Sequence, residues 1–118
     1  MKRNIYFGLM LVMLILTGWK MREVRPQLYP LKSVASYGYI DQAGDWVIKP
    51  QFEVAWFFSD NGLAKVRVNG KWGYIDQAGD LVIKPQFDWA DSFSDNGLAS
   101  VKFNGKYGYI NQAGDWVI

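Results

Sequence analysis

Apolar and polar residues alternate along short stretches of the chain from residue 37 onward. In the stretches 64–68 and 99–103 every second residue is apolar, and polar residues stand between them. Alternation with period two is typical of strands that turn one face to a core and the other to water. We therefore predict strands at both places, with Lys65, Arg67 and Lys102 on solvated outer faces. An anionic ligand is the alternative role for these three cations.

Turn signals separate the alternating stretches. Asn69-Gly70 and Asn104-Gly105 match the two-residue type I′ hairpin turn, in which both residues need positive φ. Asp76-Gln77-Ala78-Gly79 matches a type I turn, with aspartate first and glycine fourth. Pro85 cannot donate to a ladder, so it marks a strand end or an exposed edge. The glycines predicted to lie in turns are Gly44, Gly79, Gly114, Gly70 and Gly105.

The whole pattern recurs with a period of 35 residues. The stretches YGYIDQAGDWVI, WGYIDQAGDLVI and YGYINQAGDWVI begin at residues 37, 72 and 107, and residues 37–71 and 72–106 are identical at 26 of 35 positions. A third, partial copy covers 107–118. Because single units of this size cannot bury their apolar faces alone, the repeats are expected to stack. We predict an all-β fold, a short array of about 2.3 β-hairpin repeats behind an N-terminal hydrophobic segment.

The second copy carries the fullest set of recurring residues. These are Lys71-Trp72-Gly73-Tyr74-Ile75-Asp76, Gly79, Val82-Ile83-Lys84-Pro85, Phe87, Ala90, Phe93-Ser94 and Gly97-Leu98-Ala99. In this set the chain resembles the WG repeat family of bacterial proteins over residues 37–118, although Tyr37 and Tyr107 stand where the family's tryptophan is expected. The resemblance implies an array of β-hairpins without known catalytic residues and a role in binding or envelope association.

An apolar run, residues 5–16, follows Lys2 and Arg3 at the N-terminus. A membrane-spanning helix needs about 20 residues, so this length indicates the hydrophobic region of an export signal. The stretch Leu16-Thr17-Gly18-Trp19 resembles a lipobox whose cysteine is replaced by tryptophan, which excludes lipidation. Cleavage of the signal and its retention as an anchor both remain open. We expect an exported protein, periplasmic or anchored in the inner membrane of the cell envelope.

The domain organisation predicted from these patterns has three parts. Residues 1–19 form a signal peptide or signal anchor, residues 20–36 a basic linker containing prolines, and residues 37–118 the repeat array. A degenerate end of an earlier copy is the alternative for residues 26–36. Residues 1–36 carry six Lys/Arg and one acid (+5), whereas 37–118 carry seven Lys/Arg and ten acids (−3). The mildly acidic array argues against nucleic-acid binding, which needs a basic folded face.

Catalytic and metal chemistry have few candidates in this composition. The chain has no histidine and no cysteine, so the commonest general base and the thiol nucleophile are missing. The acidic pairs Asp41/Asp45 and Asp76/Asp80 flank equivalent turns, and turn formation explains them better than calcium binding does. We therefore expect no enzyme, no cofactor and no metal site.

Aromatic residues give the main functional signal. Most are expected to stack between repeats, one ring on the next, and these structural positions are Tyr37, Trp72, Tyr107, Tyr39, Tyr74 and Tyr109. Four of the nine differences between the two full copies fall within five positions, and they include Trp56, Phe57 and Trp89. We treat these three residues as candidate ligand-binding residues, with internal packing as the alternative for residues 56–58.

The function that this sequence predicts is a non-catalytic binding module of the bacterial cell envelope. Its expected partner is another protein, or a second copy bound through an open strand edge, with the membrane contacted by the N-terminal segment. Binding of cell-wall glycans through exposed tryptophans is one alternative. A truncated repeat fragment without function is the other.

Overall fold

The computed structural model describes residues 27–32 and 36–117, so the predicted export signal over 1–19 lies outside the described residues. All regular structure in the described part is strand, which confirms the all-β prediction. No helix in this part has the length and apolarity needed to span a membrane. The ten strands are β1 Tyr29–Lys32, β2 Tyr37–Ile40, β3 Trp46–Phe52, β4 Val54–Ala55, β5 Ala64–Val68, β6 Lys71–Ile75, β7 Leu81–Phe87, β8 Trp89–Ala90, β9 Ala99–Phe103 and β10 Lys106–Ile110.

The strands form three antiparallel sheets. The first sheet has the order β1-β2-β3, the second β4-β5-β6-β7 and the third β10-β9-β8. Each Asn-Gly turn joins the end of one sequence copy to the start of the next, so Val68 pairs with Lys71 across the turn at Asn69-Gly70. Asn69 has φ of 51° and Asn104 of 49°, as the type I′ turn requires. The second sheet therefore contains strands from both full copies.

A bulge in β7 explains the glycine that follows Trp72. Tyr74 pairs with Ile83 but Trp72 pairs with Phe87, which leaves two extra residues on β7. Pro85 lies in this bulge on an edge strand, where its missing N–H is tolerated. The bulged backbone lies directly on Gly73, where an added Cβ would be 2.6 Å from the oxygen of Ile83. The close approach of the two backbones excludes a side chain at this position.

The second sheet lies between the other two and buries residues on both of its faces. One core fills the space between the first and second sheets, and another fills the space between the second and third. The first core comprises Leu28, Tyr39, Ile48, Phe52, Ala55, Ala64, Val66 and Ile75. The second comprises Leu63, Tyr74, Ile83, Phe87, Ala90, Phe93, Ala99, Val101 and Ile110. Burial between neighbouring sheets is the main source of stability in such an array.

A buried tyrosine joins each sheet to the next. The hydroxyl of Tyr39 donates a hydrogen bond of 2.6 Å to the carbonyl oxygen of Trp56, which directly follows β4 of the second sheet. The hydroxyl of Tyr74, 35 residues along, donates to the carbonyl oxygen of Asp91, which directly follows β8 of the third sheet. We call this pair of contacts the tyrosine joints.

Ring contacts also cross between sheets, but not between equivalent rings as the sequence leads one to expect. Tyr39 packs on Phe58 with ring centroids 5.0 Å apart, and Tyr74 packs on Phe93 at 4.8 Å. In the described part of the chain the ring pairs join different positions of the repeat. The reason is that two stacked sheets meet through opposite faces of the repeat. A ring on one sheet therefore packs on residues that the repeat places on its other face.

The interpretation of residues 20–36 as a linker needs a correction at its C-terminal end. Tyr29–Lys32 form β1, and Tyr29 pairs with Ile40 in the register in which Ala64 pairs with Ile75. Leu28 is buried in the first core. The structure thus places in this segment a strand equivalent to β5 and β9, the last strands of the two full copies. Because proline argues against a strand in a sequence pattern, the sequence does not predict β1 at Pro30, although an edge strand accommodates a proline.

Candidate functional site

Three tryptophan rings surround the ammonium group of Lys65 at the boundary between the second and third sheets. The Nζ atom lies 5.0 Å from the ring centroid of Trp56, 5.1 Å from that of Trp72 and 6.0 Å from that of Trp89. These distances are in the range of cation–π contacts. We call these four residues the tryptophan site.

Two sheets supply the parts of the tryptophan site. Lys65 on β5 and Trp72 on β6 belong to the second sheet. Trp56 directly follows β4 of the same sheet, and its backbone N–H donates to the carbonyl oxygen of Lys65. Trp89 on β8 belongs to the third sheet. Lys65 also donates from Nζ to the carbonyl oxygen of Ala90 on β8, at 3.1 Å. The lysine therefore links the two sheets at the edge of their common core.

The register of the sheet explains why Lys65 points toward the third sheet. Lys65 lies opposite Tyr74 and therefore on the same face of the second sheet, whereas Val66 lies on the face toward the first sheet. Tyr74 is fully buried in the core between the second and third sheets. Lys65 consequently lies at the rim of a buried face, and its expected position on a solvated outer face needs this correction.

Burial lowers the pKa of the Lys65 ammonium below its ordinary value, and the nearby Asp91 carboxylate opposes that shift. The direction means that loss of hydration at the ammonium outweighs the local negative charge. The rings therefore hold a cation that has given up part of its hydration.

The walls of the tryptophan site are open to solvent on their outer side. Trp56 is 50% exposed and Trp89 is 40% exposed, while Trp72 is half-buried. Phe57, which follows Trp56 in the chain, is 54% exposed. Apolar rings left in water at one place are available for contact with a ligand.

The aromatic surface continues from Trp89 toward β10. Trp89 makes an edge contact with Tyr107 at 6.2 Å, and the Nζ atom of Lys102 lies 5.3 Å from the Tyr107 centroid. Asp88, which precedes Trp89 in the chain, accepts a hydrogen bond from Lys71 at 2.6 Å. This contact and the N–H of Gly105 hold the pKa of Asp88 below its ordinary value.

All four residues of the tryptophan site occupy positions at which the two full copies differ. Their counterparts 35 residues away are Tyr37 for Trp72, Ser100 for Lys65, Val54 for Trp89 and Asp91 for Trp56. The first and second sheets stack with Pro30, Tyr37 and Val54 at the places of Lys65, Trp72 and Trp89. The repeat fold therefore forms an interface between sheets without Lys65, Trp72 and Trp89.

The structure brings together two of the three candidate ligand residues, Trp56 and Trp89, and places Phe57 beside them in the chain. It adds Trp72, which the sequence assigns to structural stacking, and Lys65, which it assigns to solvent. Both substitutions, Lys65/Ser100 and Trp72/Tyr37, belong to the nine differences between the copies. Weighing all nine differences equally would have indicated these two residues.

The turn aspartates have structural partners. The Oδ1 atom of Asp76 accepts from the N–H groups of Ala78 and Asp80 at 3.0 and 2.9 Å. Asn111 makes the same two bonds in the third copy, so a negative charge is not needed there. Among residues 27–32 and 36–117 no group of three or more acidic side chains is arranged to hold a metal ion.

Comparison with known proteins gives one result. A family model described as "WG containing repeat" matches residues 37–72 and 72–107. Comparison with curated proteins gave no match. Comparison with solved structures gave none either.

Proposed function

Because the chain belongs to the WG containing repeat family, a family of β-repeat modules, we propose that it is a non-catalytic interaction module that binds a protein partner at the tryptophan site. The observation that carries this proposal is the coincidence of two properties in the same residues. Trp56, Trp72, Trp89 and Lys65 lie together, and each is a residue that the other copy lacks. Positions that the fold leaves free to vary are those at which a binding surface can be built.

The chemistry of the site suits a protein partner. Tryptophan and tyrosine dominate the energetically important contacts of protein interfaces, because they bury a large area with little loss of side-chain entropy. Trp56, Phe57 and Trp89 present exposed rings, and Tyr107 with Lys102 extends them. An apolar centre beside a charged rim is the usual composition of a protein-binding patch.

Location in the cell envelope is part of the proposal and rests on the apolar run over residues 5–16. The mass of the mature N-terminus in membrane and soluble fractions tests this location and separates a cleaved signal from a retained anchor. Self-association through an open strand edge stays a prediction of the sequence.

Site-specific photocross-linking tests the proposed binding surface. A photoreactive phenylalanine at position 57 is expected to give a discrete protein adduct in cells, because it stands beside Trp56. The same group at Lys84, exposed on β7, serves as the control and is expected to give none. The Trp89→Val change, which installs the residue of the first copy, should remove the adduct. Equal adducts at both positions, or none at 57, would contradict the proposal.

Glycan binding is the second candidate, favoured by the exposure of the Trp56 and Trp89 rings, since pyranose rings pack on indole faces. The same experiment distinguishes it from protein binding. An adduct at position 57 whose added mass is removed by glycan hydrolases would favour the glycan.

A further inference from the structure

We infer that the tryptophan site is a receptor for a quaternary ammonium group, which enters between Trp56, Trp72 and Trp89 as Lys65 leaves. The inference rests on the proposed function, since it names the ligand chemistry of the same site. The ligand group is a trimethylammonium, either a choline-type head group or a trimethylated lysine side chain.

The geometry of the site is that of a cation receptor. Three indole rings converge on one point, and the nitrogen atom there lies between 5.0 and 6.0 Å from each ring centroid. The faces of aromatic rings carry negative potential, and tryptophan attracts cations most strongly. Lys65 shows that this point holds a positive charge in the ligand-free protein.

A quaternary ammonium is better suited to this environment than the lysine it replaces. The lysine ammonium has three N–H donors that need acceptors, and Ala90 supplies one carbonyl oxygen. A quaternary ammonium has no N–H group, so no donor is left unsatisfied among the rings. The lowered pKa of Lys65 has the same origin, because the ammonium has lost hydration that it recovers on leaving.

The site is accessible, and the lysine can leave it. Trp56 and Trp89 expose about half of their surfaces to water. Lys65 is attached through a flexible four-carbon chain and can move into solvent by rotation about its own bonds. The carboxylate of Asp91 lies close enough to act on the charge of Lys65, and it would act in the same way on an incoming cation.

Departure of Lys65 does not require the sheets to separate. The first and second sheets stack with Pro30 at the equivalent position, and they keep the joint between Tyr39 and Trp56. The corresponding joint between Tyr74 and Asp91 does not involve Lys65. The exchange of cations is therefore a local change at the rim.

Titration of the full chain with choline, followed by the indole Nε1–H resonances, tests this inference. The signals of Trp56, Trp72 and Trp89 should shift and saturate, while those of Trp46 and Trp116 stay in place as internal controls. The neutral isostere 3,3-dimethyl-1-butanol should give no saturable shift, because it lacks the charge. Phosphocholine and trimethyllysine amide, used in the same way, distinguish a head group from a modified protein as the source.

Variants at Lys65 give the second arm of the test. The Lys65→Ser change installs the residue of the next copy and removes the internal competitor, so choline should bind about tenfold more tightly. Lys65→Arg keeps a cation in place and should bind choline no more tightly than the natural protein. Trp89→Val should abolish the shift of Trp56 and Trp72 on choline addition.

Three results would overturn the inference. The first is equal binding of choline and its neutral isostere, and the second is choline shifts confined to Trp46 and Trp116. The third is the absence of a saturable shift in both the natural protein and a folded Lys65→Ser variant. If Lys65→Ser fails to fold, the titration of the natural protein and Trp89→Val decides. A protein adduct at position 57 without choline binding removes this inference alone. Choline binding without that adduct removes the proposed protein partner and leaves the receptor.

Discussion

The hydroxyl of Tyr39 donates a hydrogen bond of 2.6 Å to the carbonyl oxygen of Trp56, which directly follows β4 of the neighbouring sheet. Through this bond the core of one repeat holds the backbone of a residue whose side chain forms a wall of the tryptophan site. The equivalent bond from Tyr74 holds Asp91, which lies near Lys65. The tyrosine joints therefore connect the repeat architecture to the residues proposed to bind.

Removing the hydroxyl of Tyr74 should destabilise the array. The Tyr74→Phe change removes the hydrogen bond to the carbonyl oxygen of Asp91. It is expected to lower the free energy of unfolding, measured with urea, by about 0.5–1.5 kcal/mol. Tyr109→Phe is the matched control in the third copy, where the side chain is 44% exposed, and should have almost no effect. Equal losses in the two variants would show that the joint contributes nothing.

Alkaline pH should weaken the fold through the two buried tyrosines. Burial raises the pKa of both Tyr39 and Tyr74, and in the case of Tyr74 the Asp91 carboxylate raises it further. In the unfolded chain both ionise near pH 10, so the unfolded state loses protons first. Their contribution is complete below pH 10 and declines above it, by about 1.4 kcal/mol per pH unit for each tyrosine.

Lys65 affects the same titration in the opposite direction. Its pKa is lowered in the folded state, so stability rises with pH between that value and the unfolded value of about 10.5. Urea unfolding between about pH 9 and pH 11.5, with a Tyr39→Phe/Tyr74→Phe double variant beside the natural protein, isolates the tyrosines. The natural protein should lose stability more steeply above pH 10 than the variant, and parallel curves would contradict this.

The glycine after Trp72 should be irreplaceable. A Cβ at Gly73 would lie 2.6 Å from both the oxygen of Ile83 and the nitrogen of Pro85, so Gly73→Ala is expected to cost about 1–3 kcal/mol or to prevent folding. Gly70→Asn is the control, because that position has φ of +77° with open space around it, and asparagine tolerates this conformation. Thermal unfolding of the two variants checks the difference, and a harmless Gly73→Ala would mean that the bulge does not press on the strand.

The sequence was sufficient for the elements within one repeat. The strand Ala99–Phe103 and the turns at Asn69-Gly70 and Asn104-Gly105 follow from alternation and from the need for positive φ, and the structure confirms them. These features depend on residues close together in the chain, so local patterns reveal them.

The tryptophan site could not be derived in the same way, because it depends on how the sheets stack. The alternation predicts that Lys65 lies on the face of β5 that points away from the core, and therefore in solvent. This prediction is correct for a sheet that is covered on one face only. The second sheet is covered on both sides, so Tyr74 and Ile75, on opposite faces, are both fully buried. The polar side of β5 is thus the rim of a second core.

The turn aspartates should act as hydrogen-bond acceptors and not as calcium ligands. Asp76→Asn keeps both backbone bonds, as Asn111 does in the third copy, and should leave the melting temperature unchanged. Asp76→Ala loses both bonds and should cost about 1 kcal/mol. Calorimetry with and without calcium checks this expectation. A rise in the melting temperature on calcium addition that is lost in Asp76→Asn would show that the aspartate binds calcium.

Both proposals depend on the position of the Lys65 ammonium group among three indole rings supplied by two sheets. The most direct measurement is NMR of the Lys65 ε-methylene protons, which ring currents shift when they lie over indole faces. We predict resonances upfield of those of the other lysines, with nuclear Overhauser contacts to Trp56, Trp72 and Trp89, and a partial return to ordinary values in Trp89→Val. Ordinary shifts for Lys65, without contacts to Trp89 across the boundary between the sheets, would show that the ammonium group does not lie among the rings.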